Sequence, residues 1–287
     1  NGFVRKYKDY IEKEINEDED LKGTMDEIYR KGCSSELISF FFSLNNESQS
    51  VFLNKLYEDS ELKYVFLVFY SAVLYHVASA MKAKNLPKPQ VVAFTGNGSK
   101  TLNVISKDVK TLEVFVRVIF EKVYGDTYSS YQFRLKFEDA PKEVAAKGGL
   151  CATQEQVKAE IQPIVLLGED NERFVDDDDS CSYEEIDDST KDKVVKNVET
   201  FIDFIPKLNE SNRFGDKFGL DVLILEDVMK ICKADLRDFL NQGIKRAISL
   251  QGQDKKQKPI VNESLFFFPI VGMLPNLAQY LVNQDKS

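Results

Sequence analysis

The stretch that most constrains this chain is VVAFTGNGSKTLNVIS, residues 91–106, in which an apolar run breaks at two glycines and resumes as an amphipathic pattern. This pattern predicts a buried strand, a tight turn at Gly96 and Gly98, and then the start of a helix. Such a turn lets backbone N–H groups approach a nucleotide. By itself it can also be a plain tight connection, because GxGxxG and the phosphate-loop pattern GxxxxGK are both absent.

The residues on either side of the turn predict an alternation of helices and strands. A long apolar helix ends at LPKPQ, because Pro87 and Pro89 cannot continue it. After the turn a helix is predicted across 101–126, with one apolar face formed by Leu112, Phe115, Val116, Ile119 and Phe120. A second strand follows in SYQFRLKF, residues 130–137. This order indicates an α/β layer rather than a helical bundle.

The flanking regions complete a three-part organisation. Residues 1–60 have helical periodicity throughout, and residues 61–152 form the α/β part. Residues 153–287 are predicted to be an acidic α/β extension. It contains a strand in 161–170, an acidic stretch in 171–192, helices in 193–208 and 224–250, and an apolar strand with a short helix in 262–282.

The overall charge limits the class of partner. The formal net charge is -9 and the pI is about 5.0, so the chain repels phosphate backbones and anionic lipid. We therefore expect neither nucleic acid nor a membrane among its partners. The apolar segment 64–81 is bounded by Lys63 and Lys82 and interrupted by polar side chains, which favours a buried core helix over a membrane span.

Cysteine and histidine are too few and too scattered for most catalytic sites. Four cysteines occur without CxxC spacing, which favours reduced thiols in a cytoplasmic protein over a disulfide framework or a zinc site. The single histidine, His76, lies in an apolar helical segment, where core packing is the expected role. The chain begins at Asn1 and its first methionine is Met25, so we expect an excised fragment of a larger protein.

Two ordered motifs resemble the last part of the ATPase domain in the actin, heat-shock chaperone and sugar kinase superfamily. The first is the turn formed by Thr95, Gly96, Asn97, Gly98, Ser99 and Lys100. The second, APKEVAAKGG, is similar to the helix that closes that fold and contains Pro141, Glu143, Ala145, Ala146, Gly148 and Gly149. The resemblance covers residues 60–152, about a third of the chain.

The resemblance implies a fold, a ligand and a limited role. It implies an actin-like lobe with a mixed sheet and packed helices, in which Thr95 to Lys100 bind the adenosine part of ATP or ADP. The superfamily's phosphate signatures, DxGxT and DxGGG, are absent from this sequence. The fragment is therefore expected not to hydrolyse ATP alone, and Mg would enter only through a lobe outside it.

The acidic run DDDDSCSYEEIDD suggests calcium, but its spacing is wrong. A twelve-residue frame from Asp176 reaches Asp187 at its last position, where a glutamate is required, and has Cys181 in place of the central glycine. We expect a solvated acidic loop that could repel or recruit a basic partner. The phenylalanine clusters in 40–42 and 266–268 are expected to be core.

Two functions remain open at this stage. The first is the adenine-nucleotide-binding part of a larger actin-like ATPase or kinase, whose further partner is the rest of the parent chain. The second is a non-enzymatic interaction or scaffold protein, suggested by Asn97 in the glycine turn, Lys142 in the closing motif and the missing phosphate signatures. Exposed strand edges would then seek a protein partner or a second copy of the chain.

Overall fold

The computed structural model describes residues 57–95, 97–125, 132–137, 164–165, 173–174, 181–220, 222–251, 259–261 and 263–284. These residues are mostly helical. The α-helices are α1 (Ser60–Ala83), α2 (Val109–Tyr124), α3 (Asp188–Asn212), α4 (Phe214–Phe218), α5 (Val222–Cys232), α6 (Leu236–Gln251) and α7 (Phe267–Gln284). The strands are β1 (Val91–Phe94), β2 (Arg134–Phe137), β3 (Ile164–Val165) and β4 (Arg173–Phe174), and 3-10 helices span Asn97–Val104 and Tyr183–Glu185.

Two of the predicted strands pair as expected for an α/β unit. β1 and β2 run parallel, with Val91 opposite Arg134 and Phe94 opposite Phe137, and α2 lies between them in the chain. β3, inside the strand predicted at 161–170, forms a separate antiparallel pair with β4. The described residues thus contain two small ladders and no single mixed sheet, because β1–β2 and β3–β4 do not join.

The helix α1 is the centre of the hydrophobic core. Asp59 caps its first turn by accepting the N–H of Leu62 at 2.9 Å, and the helix then packs against α2, α7 and α3. Among the described residues it alone has the length and apolar composition of a membrane span, yet half of that window is buried within the protein. The prediction of a core helix for this segment agrees with its packing.

One core connects the two predicted regions on either side of residue 152. Buried side chains of α1 and α2 share a cluster with those of α3, α5 and α7, including Phe115, Phe201, Met229 and Ile270. A smaller core joins Tyr183, Val194, Leu240 and Val261. The C-terminal helices therefore contribute directly to the packing around α1.

The helix predicted to follow the glycine turn directly begins later than expected. Residues 97–104 form a 3-10 helix instead, and α2 starts only at Val109. The reason is Asp108, whose carboxylate accepts the N–H groups of Lys110 and Thr111 at 3.1 and 3.2 Å and so caps a new helix. The expectation of one helix across 101–126 was wrong in its first third.

The helix predicted over 224–250 is two helices. Backbone N–H groups of Lys233 and Ala234 bond three residues back to Lys230 and Ile231, which tightens the end of α5. Asp235 then adopts a left-handed conformation, with φ of 63°, and its carbonyl accepts the N–H of Phe239 in α6. The chain turns at this point because aspartate tolerates that conformation better than most residues.

The apolar strand predicted near the C-terminus is helical. Ser264 accepts the N–H of Phe266 at 3.3 Å, and α7 follows from Phe267. Pro269 lies in the first turn of α7, where a proline removes no helical hydrogen bond. A short apolar run does not distinguish strand from helix by itself, and here burial of Phe266 in the α1 core decides the outcome.

The end of the acidic stretch is ordered rather than a solvated loop. Tyr183 is only 2% exposed, and Ser182 forms an isolated antiparallel bridge with Ile260. Asp187 caps α3 by accepting the N–H of Thr190 at 2.7 Å. This bond gives Asp187 a structural role, which contradicts the expectation that the acidic run 176–188 is a solvated loop, for its described residues 181–188. The remainder of the acidic run, the closing motif 141–149 and the predicted helical region before residue 57 lie outside the described residues.

Candidate functional site

The turn predicted to bind adenosine lies at the carboxyl end of β1. Thr95 follows the strand directly and is exposed, and Gly96 lies outside the described residues. Asn97, Gly98, Ser99 and Lys100 form the first half of the 3-10 helix. In open α/β sheets ligands bind outside the carboxyl ends of the strands. The turn lies at the corresponding end of the two-stranded β1–β2 pair.

The second half of the 3-10 helix is anchored in the core. Leu102 and Val104 of the helix, and Ile105 directly after it, are each no more than 1% exposed. The hydroxyl groups of Tyr70 on α1 and Thr101 lie 2.5 Å apart and form a hydrogen bond. Burial raises the pKa of Tyr70, and the bond to Thr101 opposes that rise. The turn is therefore held by packing and one hydrogen bond to α1.

Aromatic rings lie beside the turn. Phe94 and Phe137, the last residues of β1 and β2, stack with ring centroids 6.1 Å apart and an angle of 23° between the planes. Tyr70 meets Phe94 edge to face at 6.1 Å. Both phenylalanines are half-buried, so part of this aromatic surface can contact a planar group.

The N-terminus of α2 does not offer an anion site. The Asp108 carboxylate already occupies the free N–H groups of the first turn, and its Oδ2 accepts the Thr111 hydroxyl at 2.6 Å. That bond to Thr111, together with the backbone N–H of Lys110, lowers the pKa of Asp108 and keeps its negative charge. A phosphate at this helix end would meet a carboxylate rather than free donors.

The two edges of the β1–β2 pair differ. On the outer side of β2, the backbone N–H of Leu135 donates to Glu113 Oε2 of α2 at 2.9 Å. On β1, the backbone N–H and C=O groups of Val92 and Phe94 face β2. This follows from the strand register and from the hydrogen bond that Arg134 N–H donates to the Gln90 carbonyl. The N–H groups of Val91 and Ala93 consequently face away, and no described residue accepts a hydrogen bond from either.

Histidine and cysteine serve packing in the described part of the chain. The His76 ring stacks on Phe266 and Phe267, with centroids 5.2 and 4.8 Å away, and burial lowers its pKa to about 4. Cys232 is 3% exposed, and burial raises the pKa of its thiol to about 12. A neutral thiol inside the core is a poor nucleophile. Cys181 and Cys232 are both free thiols.

Acidic residues at the start of α3 form ion pairs with an arginine of α6. Arg237 of α6 contacts the carboxylates of Asp188 and Asp192, and its Nη2 lies 2.7 Å from Asp188 Oδ1. Within the described residues no group of three or more histidine, cysteine or acidic side chains has the arrangement of a metal site. These aspartates tie α3 to α6.

A small cavity lies between α1, α2, α3 and α4. Its wall is apolar, formed by residues such as Leu67, Phe115 and Phe214, and its volume of about 10 Å³ has room for about one water molecule. Ser71 lines it, is 1% exposed, and its Oγ has no hydrogen-bond partner among the described residues. Asn209, also in the wall, accepts the N–H of Gly215 at 2.7 Å. The cavity is far smaller than an ordinary small-molecule site.

Sequence reasoning did not identify Glu113, Tyr70 or the open edge of β1 as features of this region. In the sequence, a glutamate that bonds to a strand cannot be distinguished from a solvated glutamate on an amphipathic helix. Only the strand register shows which backbone N–H groups the glutamate can reach. Comparison with known proteins found no matching family model, no matching curated protein and no matching solved structure.

Proposed function

We propose that this chain is a non-enzymatic protein-interaction module that presents the edge of β1 to a partner. The observation that supports the proposal is the difference between the two edges of the parallel pair. Glu113 accepts the N–H of Leu135 beside β2, whereas the N–H groups of Val91 and Ala93 face away from β2 and are accepted by none of the described residues. Open strand edges pair readily with a further extended segment, and natural proteins usually block them.

The side chains of β1 favour the same proposal. Val91 is 46% exposed, and Ala93, which points to the same face of the sheet, is exposed as well. On this face Arg134 and Lys136 of β2 are also exposed, so none of the described helices covers it as helices typically cover parallel sheets. The reactive groups His76 and Cys232, by contrast, are packed in the core.

Site-specific photocrosslinking tests this proposal. A benzophenone amino acid at Val91 should give covalent adducts with a protein partner, in equal yield with and without ATP. The matched control is the same substitution at Val109, which is 45% exposed but lies on α2. Few adducts should form there. ATP turnover by the parent protein, or adducts that require ATP, would contradict the proposal.

A second candidate is an adenosine half-site at Thr95 to Lys100 within an actin-like lobe. It is supported by the position of the turn at the carboxyl end of β1, beside the half-buried Phe94 and Phe137. Because Asp108 caps α2, such a site would bind the base and ribose, and the phosphates and Mg would require the lobe outside this chain.

Calorimetry separates the two candidates. The half-site predicts that adenosine binds as tightly as ATP or ADP and that Gly98→Phe abolishes binding of all three. The interaction module predicts no heat of binding for any of them in the wild type. Equal binding of adenosine by wild type and Gly98→Phe would place the nucleotide elsewhere and contradict the half-site.

A further inference from the structure

We propose that Asn97 is a site of spontaneous covalent modification, at which the chain deamidates through the backbone nitrogen of Gly98. The two residues open the 3-10 helix Asn97–Val104 that follows β1. Asparagine is one of the chemically labile residues of proteins. A following glycine favours the reaction most, because it has no Cβ to hinder the attack and its backbone adopts the angles that ring closure requires.

The reaction needs only the atoms of this pair and water. The backbone nitrogen of Gly98 attacks the side-chain amide carbon of Asn97, so a C–N bond forms and a five-membered succinimide ring closes. The amide nitrogen leaves as ammonia and carries away the proton that the backbone nitrogen loses. Water then opens the ring at either carbonyl and yields aspartate or isoaspartate. Nothing is oxidised or reduced, and at neutral pH the chain gains a negative charge.

The backbone at this position leaves the attacking nitrogen outside the helical hydrogen bonds. In a 3-10 helix each N–H donates to the carbonyl three residues earlier, so the N–H groups of the first residues have no acceptor within the helix. Gly98 is the second residue of Asn97–Val104. The helix therefore does not bind the N–H that has to lose its proton.

Asn103, in the same 3-10 helix, provides the comparison. It is followed by Val104, a β-branched residue that is 1% exposed and lies far enough into the helix for its N–H to have an acceptor there. Within the described ranges no asparagine other than Asn97 precedes a glycine. The other Asn–Gly pair of the sequence, Asn1–Gly2, lies outside them. The conditions for ring closure thus coincide at Asn97.

The modified turn lies between two held points. Phe94 before it belongs to β1 and pairs with β2, and the Thr101 hydroxyl after it forms the 2.5 Å hydrogen bond with Tyr70. Aspartate at position 97 keeps the length of the main chain and adds a negative charge at a helix start, where such a charge is favourable. Isoaspartate instead adds a carbon to the main chain between the two held points. Deamidation therefore changes the charge of this turn and, in the isoaspartyl fraction, its backbone.

Peptide mapping of the folded full chain, aged in neutral and in mildly alkaline buffer, tests the proposal. Trypsin should release Asn97 in the peptide 85–100 and Asn103 in the peptide 101–107. Ageing in oxygen-labelled water distinguishes acid formed in the folded chain from acid formed during digestion. Mass spectrometry should show amide converted to acid at Asn97, faster in the alkaline buffer, while Asn103 stays unchanged. An isoaspartyl methyltransferase should label the aged protein.

Two variants show whether Gly98 carries out the attack. Asn97→Gln should stop the conversion, because its longer side chain would have to close a six-membered ring. Gly98→Ala should slow it severalfold, because the added Cβ hinders the nitrogen. An unchanged Asn97 in the folded wild type, while a synthetic peptide of residues 85–107 is converted, would overturn the proposal. Equal rates at Asn97 and Asn103, or in wild type and Gly98→Ala, would overturn it as well.

Discussion

The Glu113 carboxylate of α2 accepts the backbone N–H of Leu135 in β2 across 2.9 Å, so a helix side chain takes the place of a neighbouring strand. Leu135 is 7% exposed, and its N–H would otherwise be left unpaired in a largely buried position. No described residue does the same for Ala93 on the other strand. This asymmetry is the basis of the proposed interaction edge.

Replacing Glu113 should destabilise the fold. Glu113→Ala leaves the Leu135 N–H without its acceptor, which should lower the free energy of unfolding by about 1 to 3 kcal/mol. Glu113→Gln keeps a carbonyl acceptor and should lose less. Urea unfolding measures both, with the exposed Glu210→Ala of α3 as the control, expected within about 0.5 kcal/mol of wild type. Equal losses in Glu113→Ala and Glu210→Ala would contradict the role of this bond.

The sequence predicted the paired strands but not the hydrogen bond that occupies the outer edge of β2. VVAF and the second strand were identifiable because β-branched and aromatic residues cluster between turn signals. The late start of α2 was not predicted, because Asp108 lies inside an amphipathic pattern. It caps the helix only because its carboxylate accepts the N–H groups of Lys110 and Thr111. The helical outcome at Phe266 likewise depends on tertiary packing against α1, which a local pattern does not contain.

The contact between α6 and α7 uses two reciprocal glycine–phenylalanine pairs. A Cβ on Gly243 would lie 2.6 Å from Cγ of Phe268, and one on Gly272 would lie 2.5 Å from Cβ of Phe239. Both distances are shorter than carbon atoms allow. Each glycine thus allows a phenylalanine of the other helix to pack directly against its backbone.

Gly243→Ala should therefore be destabilising, although alanine is the better helix former. We expect a loss of about 1 to 3 kcal/mol in the free energy of unfolding, because the Phe268 ring has to move out of a packed position. Combining Gly243→Ala with Phe268→Ala, which removes the Cγ atom in the closest contact, should recover part of that loss. A double-mutant cycle by urea unfolding measures the coupling, and strictly additive effects would contradict direct contact.

Lowering the pH should reduce the free energy of unfolding, because the buried His76 resists protonation in the fold. Its pKa is about 4 in the fold and about 6.5 in the unfolded chain, so the unfolded state binds the proton first. The contribution of neutral His76 is complete above pH 6.5 and falls as the pH drops through about 4, by up to about 3 kcal/mol. Measured by urea unfolding against pH, His76→Phe should remove this dependence. A parallel decline in both proteins between pH 6.5 and 4 would contradict it.

Removing the Ser71 hydroxyl should stabilise the fold. Its Oγ is buried at the small cavity, where no described residue forms a hydrogen bond with it, and alanine is also the better helix former. Ser71→Ala is expected to raise the free energy of unfolding by about 1 kcal/mol, with Ser79→Ala of the same helix as the control. A lower thermal midpoint for Ser71→Ala would show that the hydroxyl has a partner in the cavity.

The open edge of β1 is tested most directly by amide hydrogen exchange of Ala93, read by NMR at low and high protein concentration. At low concentration the Ala93 N–H should exchange much faster than that of Leu135, whose donor is bonded to Glu113. At high concentration the Leu135 amide should likewise stay the better protected of the two. Strong protection of Ala93 at every concentration would show that the edge is already closed within one chain and would contradict the account.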